Sequence, residues 1–370
     1  MSTATYSLDD LLAMLEPDPR ALEDGRRRMA DVWHDRPTDS LPILFGAPAP
    51  EGVSGGGDMR RHFEDDAQML YDAVVGLLGV ARAGSDMQLT IRADTGTGTF
   101  ATVAGCELLP SEYALPWTTH LTREALQAFH PEEMTLAEAG VMPRVKRLYA
   151  YFREALPDDV HPFCADSQSP YDLAHLLYGD PIFYDMYDDP DFVHELLRKT
   201  TYLYVECTTL IKAWMNEPLD GGYHWGMAVA NGGTRSCEDT ATLLNAEAIA
   251  EFVHPYRSRG LAAFGGGFVH YCGDNDHLYA DVLSEPLVRG LNFGNPERHD
   301  LGRVIADLIQ AGKCYWGGIP RDDDETLEAY FRRVIGYTAG TRKGLIFTPT
   351  LRGDEAKEPQ RVIEMWRSLQ

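Results

Sequence analysis

From residue 135 onward, apolar positions follow two alternating spacings. Short runs rich in β-branched and aromatic residues fall at 161–165, 234–239, 264–272, 287–293, 313–318 and 344–350, and such runs suit buried strands. Between them, apolar residues three and four apart mark amphipathic helices near 136–155, 243–256, 299–311 and 324–339. Two more strand-like runs lie upstream, SLPILFG at 40–46 and MQLTIRAD at 87–94, separated by a helical stretch from Phe63 to Val80. Strands separated by helices predict parallel βαβ units. Eight of them predict an α/β fold, a closed (β/α)8 TIM barrel spanning 1–370 as one domain, with 1–38 as a helical N-terminal cap.

Local signals sharpen the boundaries. Ser169, Pro170 and Asp172 start one helix, and Asp189 and Pro190 start another, since Ser or Asp caps a helix and proline suits its first position. In the second, Val193, Leu196, Leu197, Leu203, Cys207, Ile211 and Trp214 form one buried face, which places Cys207 in the core. Residues 107–135 are irregular and predict a long loop over one end of the barrel. Residues 218–233 are glycine-rich and put His224 and Trp225 on a loop. Gly96, Gly98 and Ala101 fit G-x-G-x-x-A, but TFATVAGCELLP follows, and such a β-branched stretch is not the helix a pyrophosphate needs.

Composition narrows the partners. Asp and Glu number 57 against 33 Lys and Arg, a formal charge of −24, which argues against a general nucleic-acid or acidic-membrane binder. Six cysteines are scattered without paired C-x-x-C spacing, so the thiols are expected free in a reducing, cytoplasmic compartment. The N-terminus is acidic where a signal peptide needs a basic region, and no apolar window is long enough to span a bilayer.

The chemistry is expected at the strand ends, where a barrel builds its site. The stretch FGGGFVHYCGDND ends a strand in His270 and Cys272. Side chains two apart on a strand share a face, so an imidazole and a thiol converge, as zinc ligands do. A buried histidine and a small core cysteine give the same pattern. Asp94, Asp166, Gln168, Glu238, Asp239, Asn292, Trp316 and Thr348 complete the ring of strand ends. Asp166, Glu238 and Asp239 are the catalytic candidates, although Asp166 and Asp239 also suit helix N-caps. Arg92, Asp94, Gln168, His224, Trp225, Asn292 and Trp316 are the substrate-binding candidates, with a solvated loop position the competing reading of His224. His277 is a further candidate metal ligand, whereas Asp274 and Asp276 are expected to cap the next helix.

The order of these motifs resembles the uroporphyrinogen decarboxylase superfamily. DSQSPYDLAHLLYGDPIFYDMYDDPDFVHELL, EDTATLLNAEAIAEFVHPY, GGGFVHYCG, GLNFGN and YWGGIP carry the resemblance, over about 160–350. It implies a (β/α)8 barrel related to tetrapyrrole decarboxylases and to zinc-dependent methyltransferases acting with corrinoid proteins or thiols. The R-Q-A-G-R-Y motif of the true decarboxylases has no match near residues 20–60. In the zinc methyltransferases H-x-C supplies two ligands, matched by His270 and Cys272. Their second cysteine falls where this chain reads IFTPT, with Thr348 and Thr350. Another ligand is then needed from His224, Glu238, Asp239, His277 or Glu297; Cys314 lies near the start of its strand, at the wrong end.

The leading expectation is a zinc-dependent methyl or alkyl transferase acting on a small thiol or a corrinoid-linked substrate. One alternative is a metal-independent decarboxylase or lyase, with Arg92 or Arg235 holding a small carboxylate and Asp94 or His270 as the acid. Another is a non-catalytic corrinoid- or tetrapyrrole-binding protein with His270 as axial ligand. The resemblance implies a monomer or homodimer, with a corrinoid protein as a candidate partner.

Overall fold

The computed structural model describes residues 6–55, 57–109, 111 and 115–370. Its strands are β1 (Thr90–Arg92), β2 (Leu108–Leu109), β3 (Trp117–Thr118), β4 (His161–Phe163), β5 (Gly222–His224), β6 (Met227–Val229), β7 (Thr234–Cys237), β8 (Gly267–Tyr271), β9 (Val288–Phe293), β10 (Cys314–Gly318) and β11 (Leu345–Thr348). The last five form one parallel sheet in the order β11-β10-β9-β8-β7, each step crossed by a helical segment, as the alternation predicts. β1 and β4 form a separate parallel pair. Segment 42–44 joins the far edge of the sheet: Ile43 bridges Phe347, and Leu44 N donates to Phe347 O at 2.7 Å. The parallel ladders among the described residues thus comprise a five-stranded sheet, a two-stranded pair and one bridge, rather than a continuous eight-stranded ring.

Alternate residues of β8 divide between two apolar compartments. Val269 and Tyr271 join the larger core shared with the helices, whereas Phe268 packs with Met29, Trp33, Leu44, Cys314 and Ile346. By the period of two, Phe268, His270 and Cys272 share the inner face. That interior is filled from the chain itself. Residues 218–233 contain an antiparallel hairpin, β5–β6, in place of the expected loop, and Met227 and Val229 lie in the inner compartment. Trp225 (φ 44°) and Gly226 (φ 76°) form its two-residue turn, and positive φ at both positions is what such a hairpin requires. The N-terminal region does more than cap: helix Pro19–Trp33 inserts Met29, Val32 and Trp33, and Trp33 Nε1 donates to Ala228 O at 3.0 Å.

Other boundaries shifted. Residues 107–135 contain the β2–β3 hairpin and helix Arg123–Ala128; residues 110 and 112–114 lie outside the described set. The helix expected over 243–256 is interrupted by a wider turn at Ile249–Val253 before continuing as His254–Ala262. A four-residue 3₁₀ turn, Ala101–Ala104, follows the G-x-G-x-x-A glycines, which agrees with reading no dinucleotide loop there. The helix after β8 is capped by Asn275, not by Asp274 or Asp276.

Candidate metal centre

Three inner-face positions on neighbouring strands stand in register: Cys237 of β7, His270 of β8 and Asn292 of β9. The Asn292 amide is oriented by its far end, where Nδ2 donates to Trp316 O at 2.6 Å. Its Oδ1 therefore faces His270 Nδ1, 2.5 Å away, and must accept from it. That fixes the proton on Nδ1 and leaves the Nε2 lone pair free. Burial, aided by nearby Arg235, lowers the His270 pKa, which keeps the ring neutral. A histidine whose other nitrogen is held in this way is prepared to ligate.

Nε2 faces a cluster of donors. Cys272 Sγ is 3.7 Å away and Asp239 Oδ1 is 4.0 Å away. Asp239 bridges two strand ends, accepting from Cys272 N at 2.6 Å and from the Cys237 thiol at 3.5 Å. One donor atom from each of Cys237, Asp239 and His270 lies within 4.8 Å of the others. Ligands of one tetrahedral zinc stand about 3.5 Å apart, given bonds of about 2.0–2.3 Å, so the group fits an ion after small side-chain shifts. The donor set also suits one, mixing thiol, imidazole and carboxylate. Burial pushes the Cys237 thiol well above its ordinary pKa, while burial and then Asp239 push Cys272 up to about 11. Both thiols thus stay protonated beside Asp239 alone, a balance a divalent cation reverses.

Beside this cluster runs a chain of ion pairs. Arg235 pairs with Asp166, and Asp166 Oδ2 is 3.4 Å from Arg92, which pairs with Asp94 at 3.0 Å. Both arginines are thus already engaged by carboxylates. Asp166 is an ion-pair partner here and no helix cap; Ser169 caps that helix. Trp225 is half exposed at its turn, with the Arg92 guanidinium 4.7 Å from its ring centre.

The remaining candidates fall elsewhere. Glu238, expected to be catalytic, alternates to the opposite face, where it is fully buried, accepts from Arg257 at 2.8 Å and from Ser236 Oγ at 3.0 Å. His277 is exposed near the start of helix Asp276–Ser284 and stands outside the cluster. His224 is neither solvated nor a member of the cluster. It is buried edge-on to Phe163, Phe268 and Trp316, with centroids 5.3, 5.1 and 5.5 Å away, and burial holds its pKa well below the usual histidine range. Gln168 is buried just before its helix, and Thr348 ends β11. Glu297 lies in a 3₁₀ turn next to Asn295, and Cys314 is buried in the inner core, at the far end as expected. Asn292, expected at the substrate, lies against His270 Nδ1 and the Trp316 carbonyl. Cys237 is the residue the sequence reading passed over. Its signal was present, since C-x-D at 237–239 repeats the two-residue spacing of H-x-C.

No protein-family model matches the chain, and no curated protein matches it. Among solved structures it is similar to a methyltransferase from Methanosarcina mazei, with a TM-score of 0.66 over 93% of this chain and 98% of the other, at 13% identity. At that identity the likeness is one of fold. No helix among the described residues is long and apolar enough to cross a membrane.

Proposed function

We propose that this chain is a metal-dependent alkyl transferase, of which methyl transfer to a small thiol is the leading case. The observation that carries the reading is the fixed His270 imidazole, its Nε2 lone pair aimed at Asp239 and Cys272, with Cys237 completing the donor group. Its fold likeness to a methyltransferase supports the same direction. We read the strands as an eight-position barrel, with segment 42–44 beside β11 and the β1–β4 pair beyond it, and the donors at the strand ends where such barrels place their chemistry.

His270, Asp239 and Cys237 would hold a zinc ion, with Cys272 at the exposed side. When bound, zinc lowers the pKa of a thiol and holds it as a thiolate nucleophile at neutral pH. The protein's own residues do the rest. Asn292 keeps His270 in the ligating tautomer, and the aromatic cage around His224 keeps water from the inner side. Arg235 and Asp166 set the charge beside the cluster and orient polar groups of the substrate. Arginines already paired with Asp166 and Asp94 offer no free cation for a lone carboxylate, which ranks the decarboxylase reading lower.

The test is elemental analysis of protein purified without chelator, beside His270→Ala and Asp239→Ala. Near-stoichiometric zinc in the parent, lost in folded variants, is expected, and transfer of a methyl group to a small thiol from a methylated corrinoid, which keeps the electron pair of the broken bond, should then be lost with it. A parent that binds no zinc when it is supplied overturns the reading.

A further inference from the structure

Helix Asp66–Ala83 carries glycines at 76 and 79, each less favourable in a helix than alanine. Gly79 has a steric reason: a Cβ there would stand 2.5 Å from Ala47 O, where the Ala47 N–H donates to Gly79 O at 2.8 Å. Gly76 has none: it is exposed at the cleft rim, and a Cβ there would meet nothing within 4 Å. It borders instead a cleft of about 320 Å³ between this helix and β1. The protein keeps a helix-weakening residue where its own packing has no need of it.

The cleft walls are apolar, formed by Met69, Leu77, Val80, Met87 and Ile91, with Phe163 and Trp225 presenting aromatic faces. One end is polar, and its charges are matched in pairs: His62 Nδ1 is 3.0 Å from Asp72, and Arg92 is 3.0 Å from Asp94. The Arg92 side chain is 8% exposed, so a charge arriving beside it would be poorly solvated. The volume is at the lower end of small-molecule pockets. We propose that this cleft is a binding site for an uncharged, ring-bearing small molecule whose single hydrogen-bonding substituent meets the Arg92–Asp94 pair, with Gly76 as the residue that leaves room for the ring. The site shares no residue with the donor cluster, so it stands or falls apart from the metal reading.

The probe is 2-naphthol, titrated calorimetrically into the full chain, with anionic 2-naphthoate as comparator. Saturable one-to-one binding is expected for 2-naphthol. Gly76→Leu, which puts a branched side chain at the wall of the cleft, should weaken it by about tenfold or more, and 2-naphthoate should bind at least as poorly as that variant binds 2-naphthol. Gly76→Ala should melt at a higher temperature and still bind several-fold less tightly, a combination that loss of folding does not produce. No saturable binding to the parent, equal affinity for 2-naphthoate, or an affinity unchanged in Gly76→Leu overturns the proposal. If Gly76→Leu does not fold, unchanged affinity in Gly76→Ala overturns it.

Discussion

His270 and Asn292 are cross-strand neighbours whose side chains meet at 2.5 Å, and the amide that accepts from the imidazole is itself held by the carbonyl of Trp316. Three adjacent strands therefore determine one tautomer. Replacing Asn292 by Ala removes that constraint and leaves Nδ1 and Nε2 to share the proton. Zinc affinity should fall by about 10–100-fold, with thermal stability changed far less. Asn292→Asp, which still accepts from Nδ1 but can no longer donate to the Trp316 carbonyl, should fall between the parent and Asn292→Ala. A chelator-competition titration measures both, and equal affinity in all three proteins would show that the contact does not govern the metal.

How far this was legible in the sequence depends on the range of the interaction. The strand–helix alternation and the pairing of His270 with Cys272 follow from periods of two and 3.6, which are local. The same period puts Glu238 opposite Cys237 and Asp239 on its strand, yet which face looks inward depends on what packs outside. Arg257, on a helix nineteen positions on, fixes that choice by pairing with Glu238. The hairpin at 222–229 was hidden by glycines that suit a loop equally well, and His224 looked solvated until Phe163, Phe268 and Trp316 enclosed it. Cys237 had a local signal. It lacked only a reason to prefer C-x-D over core packing, and the register with His270 supplies it.

Glu238 serves stability by this account. Removing it as Glu238→Ala leaves the fully buried Arg257 with Asp281 as its remaining carboxylate partner, and breaking a buried pair from one side costs about 3–5 kcal/mol. Chemical denaturation should show that loss, while zinc bound per folded molecule stays as in the parent. A Glu238→Ala protein of normal stability that has lost its metal would return the residue to the site.

Asp172 gives a signed pH dependence. Its carboxyl is fully buried, with Oδ1 accepting from Thr240 N at 2.6 Å and Oδ2 3.3 Å from Ser169 Oγ. Burial, only partly offset by the Thr240 contact, pushes its pKa up to about 8 from an ordinary 3.8. The folded protein thus holds this proton over a range in which the unfolded chain has lost it. The group's contribution is fully present below the unfolded pKa and declines as pH rises toward 8. Asp172→Asn cannot ionise and still accepts from Thr240, so its stability relative to the parent should improve steadily from pH 5 to pH 8. Denaturant midpoints at several pH values test this, and a constant difference means that Asp172 is already ionised when folded.

The two cysteines beside His270 should not be equivalent. Cys237 is buried and forms one close group with Asp239 and His270, whereas Cys272 is exposed and meets that group from the outer side, with its Sγ 3.7 Å from Nε2. A catalytic zinc keeps one position open for an exchangeable ligand, with three held by protein. If Cys237 is one of the three and Cys272 stands at the exchangeable position, the serine variants should separate. Cys237→Ser should lose most of the zinc, while Cys272→Ser should keep near-stoichiometric metal that chelators extract more readily. Cobalt substitution reads the same difference as thiolate-to-cobalt absorption, expected to be weakened in Cys272→Ser and absent with the metal in Cys237→Ser. Full metal in Cys237→Ser together with none in Cys272→Ser would exchange the two assignments, putting the H-x-C pair at the centre and Cys237 in the packing behind it.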